Sequence, residues 1–215
     1  MVRWGEPLWG IMKATYYLEE IEWVNVWVKG AEKAEGLPRA LFVGDSITQA
    51  YYDTVEKALG GEYRTARLTT SRCVADPFFQ REMSLVLDQF PFALIHFNNG
   101  IHGAEYTSCQ YADALASTMD WLRATIPQTR LAWAASTPIR CRGNLQELET
   151  ERTEGLRERN RLAAEYMARN GIPVNDLFGA VIDRPDYYGG DGVHFNEAGV
   201  AALAEQVIRF VRGVM

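Results

Sequence analysis

Short apolar runs alternate along this chain with longer stretches whose apolar residues recur at helical spacing. The first run is Arg39–Gly44 (RALFVG), ending on a glycine, and Glu62–Leu68 is a second, interrupted by polar residues. Phe92–Asn98 (FALIHFN) follows Pro91, Thr129–Ser136 (TRLAWAAS) stops before Pro138, and Ile172–Leu177 (IPVNDL) is the fifth. Runs this short, bounded by glycine or proline, predict strands, and an unbroken apolar run predicts a strand buried on both faces. The polar interruptions of Glu62–Leu68 place it nearer an edge. Helices are predicted between the runs, over 49–59, 80–89, 104–124, 145–170 and 197–211. Strand and helix alternating at this pitch imply a parallel sheet covered by helices on both faces.

Ahead of the first strand, Leu8–Lys33 carries Trp9, Trp23 and Trp27 and is expected to be helical. It would pack across the sheet, or else shape a substrate rim or a partner surface. Arg142–Arg159 is dense in charge, with Glu149/Arg152 and Glu154/Arg157 at helical spacing, and is expected to be a solvated helix face. No internal repeat, low-complexity tract or interdomain linker is visible. The expectation is one domain over residues 1–215, with 1–36 as a helical extension packed on it.

Composition narrows the partners. Of 215 residues, 47% are hydrophobic and 23% charged, which excludes a globally disordered chain. With 22 basic against 28 acidic residues the net charge is -6, which disfavours a nucleic-acid partner. Cys73, Cys109 and Cys141 include no C-x-x-C pair, so neither a structural zinc nor any other metal or cofactor is expected. One disulfide stays open as a reading, with buried free thiols the simpler one. The opening MVRWGEPLWG lacks a basic segment followed by an apolar one, so no secretory signal is seen and the default expectation is cytoplasmic. The apolar runs fall far short of a membrane span.

Two segments could carry chemistry. Gly44-Asp45-Ser46-Ile47-Thr48 lies between the first strand and a helix. A serine there is displayed at the carboxyl edge of the sheet, with the helix N–H groups and dipole aimed at it. The same serine is equally at home as a helix cap. Asp191-Gly192-Val193-His194 precedes the last helix. A hydroxyl needs a base to act as a nucleophile at neutral pH, and a histidine supplies one. A carboxylate three residues earlier can reach back to one ring nitrogen, fix the tautomer and stabilise the imidazolium. Alone, that pair reads as a helix start with an ordinary histidine.

Together these blocks resemble the SGNH hydrolases, also called GDSL esterases and lipases. GDSIT at 44–48 is similar to the family's nucleophile block, DGVHFNEAG at 191–199 to its terminal Asp-x-x-His block, and RNRLAAEYMARNGIPVNDLF at 159–178 to its penultimate helix and fifth strand. The resemblance implies a three-layer α/β/α sandwich with a five-stranded parallel sheet, flavodoxin-like in class. It makes Ser46 the nucleophile, His194 the base and Asp191 its orienting partner.

The middle blocks depart from the pattern. The family's glycine after strand two is missing from Leu68-Thr69-Thr70-Ser71-Arg72-Cys73, leaving the N–H of Thr70, Ser71 or Arg72 as oxyanion donors. The Gly-x-Asn-Asp block is replaced by Phe97-Asn98-Asn99-Gly100-Ile101-His102-Gly103. One register puts His102 in the asparagine's place, another offers Asn98 or Asn99, and all three can donate to an oxyanion beside the Ser46 N–H. His96, inside a strand, is expected to be a core histidine. Arg72, Arg140 and Arg142 could bind an acidic substrate group, with surface ion pairs the plainer reading.

The function implied is a metal-independent serine esterase working through an acyl-enzyme on a small-molecule or carbohydrate ester, with short acyl or acetyl groups favoured. An acyltransferase with the same triad is the nearest alternative. A non-catalytic binding module on the same fold is a third.

Overall fold

The computed structural model describes residues 16–33 and 35–214. Its elements run β1 (Val24–Val28), β2 (Arg39–Gly44), α1 (Ser46–Leu59), β3 (Arg64–Thr70), α2 (Phe79–Leu87), β4 (Leu94–Phe97), α3 (Ser108–Thr125) and β5 (Arg130–Ala134). Then follow β6 (Arg140–Cys141), β7 (Asn144–Leu148), α4 (Thr150–Arg169), β8 (Val174–Asn175), the short α5 (Leu177–Val181) and α6 (Glu197–Val214). The main sheet has the order β1-β3-β2-β4-β5-β8. Its five strands from β3 to β8 are parallel, and β1 pairs antiparallel along the outside of β3.

Every residue of β2 is buried, because successive side chains enter opposite layers. Leu41 and Val43 pack with Phe79 and Met83 of α2, Tyr111 and Leu115 of α3 and Met167 of α4. Ala40 and Phe42 pack with Tyr51 and Val55 of α1 and Leu203 and Val207 of α6. That is a three-layer α/β/α sandwich. Among the described residues no helix is long and apolar enough to cross a membrane, and all three cysteines are free.

Three expectations are corrected. The helix expected over Leu8–Lys33 is not formed in its described part, where Val24–Val28 is a strand; residues 8–15 lie outside the described residues. The valines at 24, 26 and 28 and Trp27 are strand formers, and the open side of β3 offers them a ladder. β3 is consequently interior rather than near an edge. Its polar residues have partners on α1: Tyr52 Oη donates to Thr65 Oγ1 at 3.1 Å, Arg67 lies over the Tyr52 ring at 4.9 Å, and Thr69 Oγ1 donates to Gln49 Oε1 at 3.1 Å. Residues 145–148, expected to start a helix, form a hairpin strand with β6 instead. Its turn holds Gly143 at φ +90, a left-handed backbone that a side chain disfavours. α4 starts only at Thr150, where the Glu149 carboxylate accepts the Arg152 N–H at 2.7 Å and acts as a cap rather than an ion-pair partner. Glu154 and Arg157 do pair, at 3.2 Å on the solvent side.

Candidate active site

The carboxyl ends of the parallel strands meet at one edge of the sheet, where open α/β folds hold ligands. β2 delivers Ser46 to that edge. Gly44 is needed for the turn, since a Cβ there would lie 2.0 Å from Thr48 Oγ1 in the first turn of α1. Asp45 caps the helix, its Oδ1 accepting the Ile47 N–H at 2.8 Å. Ser46 is therefore relieved of capping, and its hydroxyl is free for another partner. Burial pushes the Asp45 carboxyl up, opposed by His102, by the N–H groups of Ile47 and Thr48, and by His194.

That partner is His194. Ser46 Oγ lies 2.9 Å from His194 Nε2, across 148 residues of sequence. His194 Nδ1 lies 2.7 Å from Asp191 Oδ2, while Asp191 Oδ1 accepts the N–H groups of Val193 and His194, each at 2.9 Å. Desolvation pushes the Asp191 carboxyl up, but the His194 ring and those two N–H groups outweigh it and hold it at about 2. It is ionised across neutral pH and can only accept, so the proton of a neutral His194 sits on Nδ1 and Nε2 faces the serine. The loop holding the pair is tied to the hairpin by Arg140 N–H donating to the Gly192 carbonyl at 2.8 Å. Gly192, at φ +77, has no room for a side chain, whose Cβ would meet that same Arg140's carbonyl oxygen at 2.1 Å.

The oxyanion candidates separate. Asn98 is buried with its amide donating to the Ala134 carbonyl at 2.8 Å. Asn99 is buried too: its amide donates to the Arg72 carbonyl at 2.9 Å and its carbonyl accepts the Val74 N–H at 3.0 Å. Ser71 N–H donates to Trp23 O at 3.1 Å and Arg72 N–H to Thr70 Oγ1 at 3.1 Å. Those four candidates are committed to structure. His102 is not: its ring lines the cleft with Ser46 and His194, Nδ1 lies 2.8 Å from Glu19 Oε1, and Nε2 is shut from water without a partner.

The remaining candidates stand elsewhere. His96 is fully buried between Phe42 and Phe210, where desolvation pushes its imidazole down to about 4. Arg72 is consumed by Asp76 at 2.6 Å and Glu82 at 2.8 Å. Arg140 is buried against the Tyr188 ring and donates to the carbonyls of Leu145, Gln146 and Ile182. Arg142 is exposed on the hairpin turn. Among the described residues no group of three His, Cys, Asp or Glu could hold a metal ion.

Two participants were hidden in the sequence. Arg159, expected on a solvated face, is buried and donates to four carbonyls of the His102 loop: Gly100 at 2.8 Å, His102 at 2.9 Å, Gly103 at 2.7 Å and Tyr106 at 2.8 Å. Glu19 reaches His102 from 83 residues away. Neither contact has a local signature. The cleft is open, about 760 Å³, and its other walls are Trp23, Asn25, Gln49, Asp53 and Arg67. A groove of about 860 Å³ lies at the opposite edge of the sheet, beside Arg123, Arg130 and Gly171, and includes neither Ser46 nor His194.

A parallel-sheet sandwich presenting a hydrogen-bonded Ser–His–Asp chain at its carboxyl edge defines the class, an α/β protein with those three side chains in line at the ligand-holding edge. No protein-family model matches the chain, and no curated protein matches it. Solved structures do. A GDSL-like lipase from Bacteroides thetaiotaomicron superposes with TM-score 0.64 at 16% identity, over 86% of this chain and 94% of that one. A mutant of an acetyl-xylooligosaccharide esterase from Geobacillus stearmophilus gives 0.64 at 19%, over 80% and 93%. A member of the lipolytic G-D-S-L family from Veillonella parvula gives 0.64 at 16%, over 81% and 98%. The chain shares the fold of these SGNH- and GDSL-type structures.

Proposed function

We propose that the chain is a metal-independent serine esterase that hydrolyses carboxylic esters through an acyl-enzyme. The observation that carries the reading is the unbroken chain from Ser46 Oγ to His194 Nε2 at 2.9 Å and from His194 Nδ1 to Asp191 Oδ2 at 2.7 Å. Ser46 Oγ attacks the ester carbonyl carbon and its proton passes to His194 Nε2. The carbonyl oxygen, now anionic, takes a hydrogen bond from the Ser46 N–H at the start of α1, and His102, whose side chain lines the same cleft, is the candidate for a second donor. Collapse breaks the bond to the leaving oxygen, which receives the proton from Nε2. Water then repeats the sequence, its proton going to Nε2 and the acid leaving from Ser46.

The leaving alcohol is assigned as a sugar hydroxyl and the acyl group as acetyl or another short chain. Trp23 offers a flat apolar face and Asn25, Gln49, Asp53 and Arg67 offer polar groups along an open cleft, which suits a polyol better than a lipid tail. The likeness in fold to an acetyl-xylooligosaccharide esterase supports the same substrate class by analogy.

A fluorophosphonate probe should label the wild-type protein and not Ser46→Ala, and turnover of p-nitrophenyl acetate and acetylated xylooligosaccharides should fall by several orders of magnitude in that variant. Retention of more than about a tenth of wild-type turnover would remove Ser46 from its role, since that is under ~1.4 kcal/mol of barrier.

A further inference from the structure

Ser46, Gln49 and Asp53 follow one another along a single face of α1, and all three line the cleft. Seven residues of helix put Asp53 about 10 Å from Ser46 along the axis. Asn25 of β1 and Arg67 of β3 complete that end of the wall. The polar groups there are turned one way. Arg67 Nε donates to Asn25 Oδ1 at 3.1 Å, and Thr69 Oγ1 donates to Gln49 Oε1 at 3.1 Å. Both amide oxygens are thus occupied from behind, which leaves the amide N–H groups, able only to donate, for the cleft. Arg67 Nη1 lies 3.2 Å from Asp53 Oδ1, while Nη2 has no partner among the described residues and is not shut from water. The guanidinium is fixed in place: its side chain is 16% exposed and lies over the Tyr52 ring at 4.9 Å. The charged acceptor on this wall is Asp53, but its side chain is 88% exposed, so water screens its hold on Arg67. Glu56, one turn further along α1, is taken by Lys29 at 2.7 Å. A surface ion pair accounts for the Asp53 contact. It does not account for two amides beside it that both show their donors to the cleft.

We propose that Arg67, with the amides of Asn25 and Gln49, recognises a carboxylate on the alcohol part of the ester, about two helical turns from the carbonyl that Ser46 attacks. This rests on the esterase reading and narrows it: the leaving alcohol carries a carboxylate. A planar carboxylate takes several hydrogen bonds at once, and the guanidinium fork matches its two oxygens. It competes with Asp53 for the guanidinium, and it wins through the amide donors that Asp53 leaves idle. Arg67 makes and breaks no bond. It is a specificity-determining residue, and it brings β1 and β3 into the choice of substrate.

The test is acetate release from acetoxybiphenyl carboxylate, para-substituted at both ends so that the charge stands two rings from the ester, and from its neutral carboxamide. The full-length wild type, Arg67→Met, Arg67→Lys and Asp53→Asn are compared, each as the ratio of kcat/KM for the two esters. The wild type should favour the carboxylate by about tenfold or more, expressed in KM, as a charge-assisted hydrogen bond does. Arg67→Met should bring the ratio to about one. Arg67→Lys should keep part of it, because a point charge replaces the fork. Asp53→Asn, by removing the competing charge, should raise it. Added salt should shrink the wild-type preference. A loss of folded protein or of triad geometry lowers both rates together and leaves the ratio alone; if Arg67→Met does not fold, Asp53→Asn decides. A wild-type ratio near one, or a ratio that the variants do not move while acetate is still released, overturns the carboxylate assignment and leaves the esterase reading in place. A wild-type protein that releases no acetate from either ester and takes no fluorophosphonate on Ser46 overturns the esterase reading and this one with it.

Discussion

Ser46 and His194 are 148 residues apart and Asp191 is three from His194. That difference decides what could be read from sequence. The Asp-x-x-His pair is local, and its carboxylate–imidazole bond follows from spacing. Whether Ser46 capped α1 or faced a base could not be settled locally; Asp45 taking the cap settles the first half, and the bond across the cleft the second. The oxyanion loop shows the limit. Asn98, Asn99 and His102 share a chemistry that fits, and only their tertiary partners separate them. His102→Ala should lower kcat about a hundredfold with little change in KM, as loss of an oxyanion donor does. Asn99→Ala should act on stability instead, because it strands the buried Val74 N–H and Arg72 carbonyl, at about 1–3 kcal/mol each before relaxation. Urea unfolding beside kinetics on the two variants checks this. A catalytic loss in Asn99→Ala at unchanged stability would reverse the roles.

At the scale of elements, β2, β4 and β5 were legible because they are buried on both faces and, apart from Arg39, His96 and the exposed Arg130, apolar. β1 was not, because a strand exposed on its outer edge needs no such run and its aromatics also fit a helix. The hairpin strand at 144–148 is polar and largely exposed, and only Glu149, the cap of α4, separates it from the helix that follows. The His102 loop lines the site; Tyr106 and Ile101 anchor it to the two halves of the core, and its backbone carbonyls need donors. Arg159 supplies the order from α4, with its guanidinium over the Tyr111 ring at 4.9 Å and its four donors on the loop carbonyls. Arg159→Met should cost about 3 kcal/mol or more, since several acceptors lose their donor in a buried place. Arg159→Lys should recover only part, because a point charge cannot span the fork. An unfolding midpoint in Arg159→Met equal to wild type would show that the loop holds itself.

Over the whole molecule the three histidines sit at three depths, and their protons report on different things. The His194 side chain is 51% exposed, His102 is 18% exposed, and His96 is sealed between β2 and α6. His96 Nε2 accepts from the Asn175 amide at 3.1 Å, so the neutral ring carries its proton on the buried Nδ1, and a second proton would have to enter on Nε2 against that amide donor, in a buried layer. The native ring titrates at about 4, against about 6.5 for an unfolded histidine. Between those values the unfolded chain binds a proton that the native protein does not, so stability falls as pH falls. The contribution is fully present above about 6.5 and is lost by about 4, a drop of about 3 kcal/mol. Asp191, held at about 2, acts in the same direction but only below the ordinary carboxylate range. Asp45 and Glu82, pushed up by burial, act in the opposite sense. A single pH–stability curve therefore mixes signs, and the His96 part appears only as a difference. His96→Gln keeps an acceptor for Asn175 and removes the titration. Urea unfolding of both proteins from neutral to mildly acidic pH should show the wild type losing about 3 kcal/mol more than the variant. Parallel loss in the two would mean that His96 is not the group coupling this fold to acid.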